Sequence, residues 1–204
     1  MSPGVRAAST AAIASVAFVL LLSQPAFAQA GAAPEAAPAS PAVSRWLVPD
    51  RWYLQAGAGD DVDSLNAGLL WELDRGWTAF GDARLSAYTE LSIGHWHVKD
   101  SGGSASSTNT QLGFTPTLRL TSSGPLGVFG EIGIGVNVIA PIYRTVDKRF
   151  STAFNFGDHI GVGMRPWGPK GAEISLRFQH FSNAGIKQPN PGENFLQLRW
   201  SQPL

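Results

Sequence analysis

The stretch Glu131-Ile132-Gly133-Ile134-Gly135-Val136-Asn137-Val138 decides the fold. Apolar residues take every second position, and Gly, Glu or Asn stands between them. Successive side chains of a β-strand point to opposite faces. The stretch therefore has one greasy face and one small or polar face, the period-two signature of a strand. The same reading extends in both directions. Leu112, Phe114, Pro116, Leu118 and Leu120 alternate with Gln111, Gly113, Thr115, Thr117 and Arg119. Leu85, Ala87, Leu91 and Ile93 alternate with Arg84, Ser86, Tyr88, Glu90 and Ser92. Leu65, Ala67, Leu69, Trp71 and Leu73 share a face that only Leu70 interrupts from the other side. Towards the C-terminus, Ile160, Val162 and Met164, then Ile174, Leu176 and Phe178, then Leu196, Leu198 and Trp200 repeat the pattern. Together with Trp52 to Gly59 these segments predict eight strands.

The two faces differ in a way that sets the class. The polar face carries Arg84, Glu90, Arg119, Glu131, Glu173 and Arg177, charges of both signs, with glycines among them. Small residues on one face suit the narrow lumen of an eight-stranded barrel, which side chains fill. The apolar face then meets lipid. No apolar run after the leader is long enough for a spanning helix, so a membrane location requires a closed barrel. A soluble sandwich would bury the apolar face instead, and periodicity alone does not separate the two.

The N-terminus supports export. Arg6 precedes an apolar run, Ala11 to Leu22, and Ala26-Phe27-Ala28 follows as a small-x-small cleavage site. Residues 1–28 thus read as a signal peptide rather than an anchor helix, since the apolar core is short. Residues 29–45, rich in Ala and Pro, read as a flexible arm. Residues 46–204 are then the barrel, an all-β, antiparallel transmembrane domain of the outer membrane. The chain has no cysteine, so no disulfide or thiolate site is available. Fifteen basic and fifteen acidic residues balance, which leaves no electrostatic reason to seek nucleic acid.

Connection lengths agree. Asp74-Arg75-Gly76, Ser122-Ser123-Gly124-Pro125 and Pro166-Trp167-Gly168-Pro169 predict short turns, with longer links near 98–109, 141–152 and 183–192. Outer-membrane barrels have short periplasmic turns and longer external loops. With both termini periplasmic, strand seven runs outward and ends at the outer leaflet. Trp200 serves as the terminal aromatic of the last strand.

Strand seven ends Gln179-His180-Phe181-Ser182-Asn183-Ala184-Gly185. His180 and Ser182 share the face of Ile174, Leu176 and Phe178, which points to lipid. An imidazole and a hydroxyl facing hydrocarbon are costly without partners. Asp158 is a third polar residue in the apolar register, on the neighbouring strand. A serine becomes nucleophilic when a base takes its proton, and a carboxylate steadies the histidine that does so. Glu193 and Asp158 are the nearby carboxylates. Asn183 and the Gly185 N–H are the local donors for an oxyanion. A G-x-S-x-G elbow is absent, which argues against an α/β-hydrolase. Standing alone, H-x-S on a strand is a common rim pair.

The longer run His180-Phe181-Ser182-Asn183-Ala184-Gly185-Ile186-Lys187-Gln188-Pro189-Asn190-Pro191-Gly192-Glu193, with Phe156-Gly157-Asp158-His159, resembles the signature of the lipid A 3-O-deacylases of Gram-negative outer membranes. The resemblance is strongest over about the last 50 residues and looser from Trp52 onward. It implies hydrolysis of the ester at the 3-position of lipid A in lipopolysaccharide, releasing a 3-hydroxyacyl chain without a metal or other cofactor. It implies Ser182 as nucleophile, His180 as base and Glu193 as orienting acid, with Asn183 and Gly185 at the oxyanion and Asp158 as reserve acid. The family's acid can also lie one residue further on, where this chain has Asn194. Strand parity puts Asn194 outward with Leu196, so a bulge would be needed to turn Glu193 out. Implied partners are lipid A and the outer-membrane lipids, with a homodimer left open. The alternative is a non-catalytic structural or adhesive barrel, which has no reason to carry the outward Ser182/His180 pair. His95 and His97 read as interfacial rim residues. Lys148, Arg149 and Lys187 read either as contacts for lipid A phosphates or as solvated loop charges.

Overall fold

The computed structural model describes residues 47–99 and 108–204; the expected leader and arm lie outside the described residues. Eight strands run in order: β1 Arg51–Ala58, β2 Val62–Thr78, β3 Arg84–Val98, β4 Thr108–Thr121, β5 Phe129–Ala140, β6 Phe154–Met164, β7 Glu173–Ser182 and β8 Glu193–Pro203. Each pairs antiparallel with the next, and β1 pairs with β8, so the sheet closes. Closure removes every sheet edge, the condition for a sheet to sit in lipid.

The pairing also sets the tilt. A row of cross-strand partners starting at Asp63 passes Ala58, Leu196, Phe178, Ile160, Ile132, Leu118 and Ala87, and returns to β2 at Leu73. The row comes back ten residues along the strand it left, from 63 to 73. A shear of that size in eight strands tilts them by roughly 40°. Pro116 has no N–H to give, and the β4–β5 ladder skips it between Phe114↔Val136 and Thr117↔Gly133.

The expected inversion of faces is present. Glu131 is 3% exposed while its neighbour Ile132 is 56% exposed. Charged residues fill the lumen as an alternating chain. Glu173 meets Arg119 at 3.0 Å, Arg119 meets Glu131 at 3.0 Å, and Glu131 meets Arg177 at 2.6 Å. Arg177 then meets Glu90 at 3.3 Å, and Glu90 meets Arg199 at 2.6 Å. Tyr88 donates to Glu131 at 2.9 Å and accepts from Arg177 at 2.7 Å. Five strands supply these charges, so the chain ties the walls together across the lumen. Nearer the external end, Val62, Trp96, Val98, Ile139, Tyr143, Phe150, Phe181 and Phe195 form a buried plug.

One expected turn is not a turn. Asp74-Arg75-Gly76 lies within β2, which continues to Thr78, and the reversal falls at residues 79–83. The register shifts there: the three residues between Leu73 and Trp77 oppose the one between Leu85 and Ala87. The polar tripeptide is absorbed as a bulge, which keeps Leu73 and Trp77 on the same face. The turns at 122–128 and 165–172 fall where expected, as do the long links at 141–153 and 183–192; most of the link expected near 98–109 lies outside the described residues.

Two substitutions test the inversion. Ile160→Arg, near mid-membrane on the outer face, should lower unfolding free energy in lipid vesicles by about 2–4 kcal/mol. Arg177→Leu should cost about 3–5 kcal/mol, because it leaves Glu90 and Glu131 buried with too few partners. Equilibrium urea unfolding checks both; near-zero effects would contradict the assignment of faces.

Candidate active site

The site is built by the regular register of β6, β7 and β8. His180 is paired with Asp158 on one side and Asn194 on the other, and Ser182 with Phe156. Residues directly opposite on neighbouring strands share a face. His180 and Ser182 are half-exposed on the lipid-facing wall, and Asp158 and Asn194 are exposed there. Phe181, between them, is 1% exposed and packs edge-on against Trp96 with ring centroids 4.9 Å apart. Burying Phe181 in the plug is what turns its two neighbours outward at the strand end.

Asn194 Oδ1 lies 2.7 Å from His180 Nδ1. An amide oxygen only accepts, so Nδ1 is the donor, and in the neutral ring that tautomer leaves the lone pair on Nε2. Ser182 Oγ accepts a hydrogen bond from the Ala184 N–H at 3.5 Å and makes none to His180. A serine hydroxyl reaches another partner by rotating about χ1, and catalytic bonds are often unformed without substrate.

Glu193 does not reach His180. Phe181↔Glu193 and His180↔Asn194 pair without a bulge, so parity holds and Glu193 faces the lumen, 0% exposed. There Tyr143 donates to it at 2.7 Å and Lys148 at 3.2 Å. Its Oε1 also accepts the Asn194 N–H at 3.1 Å. The expected acid is thus a clamp on the backbone of the residue that holds the histidine. Burial pushes the Tyr143 hydroxyl upward, and its bond to Glu193 adds to this. Partial burial favours the neutral form of Lys148, but Glu193 and Asp60 outweigh it and raise its pKa.

The β7–β8 loop is organised by Asn183, which is 1% exposed. Its Nδ2 faces Ser151 Oγ at 2.9 Å and Lys187 O at 2.8 Å, and its Oδ1 accepts the Gly185 N–H at 3.0 Å. Its own N–H donates to Asn190 Oδ1 at 3.0 Å. Both expected oxyanion donors are therefore engaged within the loop. The Ala184 N–H is the backbone donor to Ser182 Oγ, and Ala184 holds φ of 52°, a strained value for a residue with a Cβ.

Gly192, unremarked in the sequence, ends the loop with φ of 71°. A Cβ there would lie 2.6 Å from His180 Cε1 and 3.3 Å from Nε2. Sequence reasoning also missed the roles of Tyr143 and Lys148, which only the folded loop brings to Glu193. His95 and His97 face outward on β3, four strands from β7 and across the barrel.

A small closed barrel that carries a serine and a histidine on its lipid-facing wall fits the class of outer-membrane hydrolases. The family model "Lipid A 3-O-deacylase (PagL)" matches residues 64–203, and the chain belongs to that family. It is 36% identical over 154 residues to the lipid A deacylase PagL of Bordetella bronchiseptica, spanning 72% of this chain and 80% of that one. It is 32% identical over 138 residues to the lipid A deacylase PagL of Pseudomonas aeruginosa, spanning 67% of this chain and 76% of that one. The crystal structure of the outer membrane enzyme PagL superposes with a TM-score of 0.66 at 28% identity, covering 76% of this chain and 99% of that one.

Gly192→Ala should push the His180 ring aside and lower kcat by about 100-fold, as a displacement near 1 Å does; wild-type kcat would refute the close packing. Lys148→Met should destabilise the barrel by about 2–3 kcal/mol, somewhat less than a fully buried pair because Lys148 is partly exposed. Lys148 has a raised folded pKa, so its contribution is fully present below the unfolded lysine value of about 10.4. It is lost as pH rises through the higher folded value. Unfolding midpoints of wild type and variant should therefore converge only at strongly alkaline pH.

Proposed function

We propose that this chain is a serine esterase that hydrolyses the ester at the 3-position of lipid A in lipopolysaccharide and releases the 3-hydroxyacyl chain. The observation that carries this reading is the outward His180, with Nδ1 held by Asn194 at 2.7 Å, two residues from the outward Ser182. In the first half-reaction Ser182 Oγ attacks the ester carbonyl and its proton passes to His180 Nε2. The tetrahedral oxyanion draws on the Ala184 N–H, and on the Gly185 N–H once Asn183 Oδ1 releases it. Collapse expels the sugar 3-oxygen, which takes the proton from His180. Water, deprotonated by His180, then hydrolyses the acyl-serine and restores the hydroxyl. Asn183 is the brace of the donor loop rather than a donor itself.

Asn194 fixes the tautomer but brings no charge. Asp158, paired with His180 from the other strand, is the carboxylate that steadies the imidazolium. This division replaces a single orienting acid with an amide on one side and a charge on the other. The substrate reaches the site laterally through the outer leaflet, where the surrounding lipids wet the wall. The leader at 1–28 delivers the chain to this membrane. A structural or adhesive barrel would carry the lumen chain and the greasy wall equally well, but not the outward pair.

Mass spectrometry of lipid A from expressing cells tests the reading. Wild type should remove one 3-hydroxyacyl group, and Ser182→Ala and His180→Ala should remove none. Asn194→Ala and Asp158→Asn should each lower turnover by about 10- to 100-fold. Full activity in Ser182→Ala would overturn the assignment.

A further inference from the structure

The β5–β6 loop folds back as a short hairpin. Thr145 N–H donates to Lys148 O at 2.8 Å, Phe150 N–H donates to Tyr143 O at 3.0 Å, and Arg144 pairs with Arg149. Tyr143, Thr145 and Phe150 are buried, so Arg144 and Arg149 stand on the opposite, exposed face. Two guanidinium groups are thus direct cross-strand neighbours, and neither has an ion pair among the described residues. Like charges in that relation repel. The hairpin's one carboxylate, Asp147, lies in its turn, and Lys148 is turned away to Glu193 and Asp60. The adjoining β7–β8 loop contains no acid and exposes Lys187.

These two loops are joined directly above Ser182. Ser151 Oγ donates to Lys187 O at 2.8 Å, and Asn183 Nδ2 bridges Ser151 and Lys187. Of the remaining acids at the external end, Asp60 and Asp61 lie in the β1–β2 loop, Asp63 pairs with Lys99, Glu193 is inside the mouth, and Asp158 stands on the lipid-facing wall beside His180. We infer that Arg144, Arg149 and Lys187 form a rim that binds a phosphate of the glycolipid headgroup while its ester lies at Ser182. The inference rests on the esterase reading and extends it to the headgroup. A phosphate dianion between two guanidiniums turns their repulsion into charge-assisted bonds, which the planar donor forks of arginine suit. Lipid A is a phosphorylated, acylated glucosamine disaccharide, so ester and phosphate arrive on one rigid framework. Binding the phosphate would orient the sugar and select phosphorylated substrate.

The test compares lipid A with the same lipid A stripped of phosphate, both in detergent micelles. Wild type should show kcat/KM about tenfold higher for the phosphorylated lipid, carried by KM and shrinking at high salt. Arg144→Gln/Arg149→Gln should bring that ratio close to one, and Arg144→Lys/Arg149→Lys should restore part of it. Titration of the Ser182→Ala protein with both lipids, followed by tryptophan fluorescence, should show the same preference in binding and does not depend on turnover. A wild type indifferent to phosphate, or a glutamine double variant that keeps the preference, would overturn the rim. Loss of activity in Ser182→Ala alongside either result would leave the esterase reading standing, so the two failures are distinguishable.

Discussion

The unbroken hydrogen-bond register of β6, β7 and β8 is the constraint on which the site depends. In lipid every backbone N–H and C=O must find a partner within the sheet, so a strand cannot slip without losing a row of bonds. A slip of one residue would also move each side chain to the other face. With His180 fixed opposite Asn194, Ser182 faces lipid and Glu193 faces the lumen. The same pairing brings Asp158 beside His180. Parity thus distributes the chemistry before any side chain makes a contact.

The two sides of the wall are stabilised by different physics. Outside, apolar residues meet acyl chains, and the polar quartet Asp158, His180, Ser182 and Asn194 is tolerated at the end of the span, near the headgroups. Inside, the alternating chain from Glu173 to Arg199 pairs charges that are almost wholly withdrawn from solvent. The plug above it links the two regions. Phe181 and Phe195 fill it from β7 and β8, Tyr143 and Phe150 from the β5–β6 hairpin. That hairpin is therefore anchored from below by aromatic packing and by Lys148 on Glu193, while its outer face stays free for ligand.

Strands whose outer face alternated cleanly were legible in the sequence, and so was the outward Ser182/His180 pair, because period two is a local property. Asp74-Arg75-Gly76 misled because its composition is that of a turn, whereas β2 absorbs it as a bulge held by pairing to β3. The acid is the instructive case. The resemblance pointed to Glu193 and parity pointed to Asn194; the register follows parity, since no bulge precedes Phe195. What Glu193 does instead was not legible, because Tyr143 and Lys148 lie 50 and 45 residues away and meet it only through the folded loop. The engagement of Asn183 and Gly185 within their own loop was hidden for the same reason.

The proposed chemistry requires that His180 make a lipid-facing Ser182 nucleophilic. Outer membranes carrying the protein can be treated with a long-chain alkyl sulfonyl fluoride, which partitions into lipid, and the barrel then digested for mass spectrometry. A single adduct on Ser182 that disappears in His180→Ala is the outcome expected. Labelling elsewhere, or labelling of Ser182 that persists without His180, would contradict it.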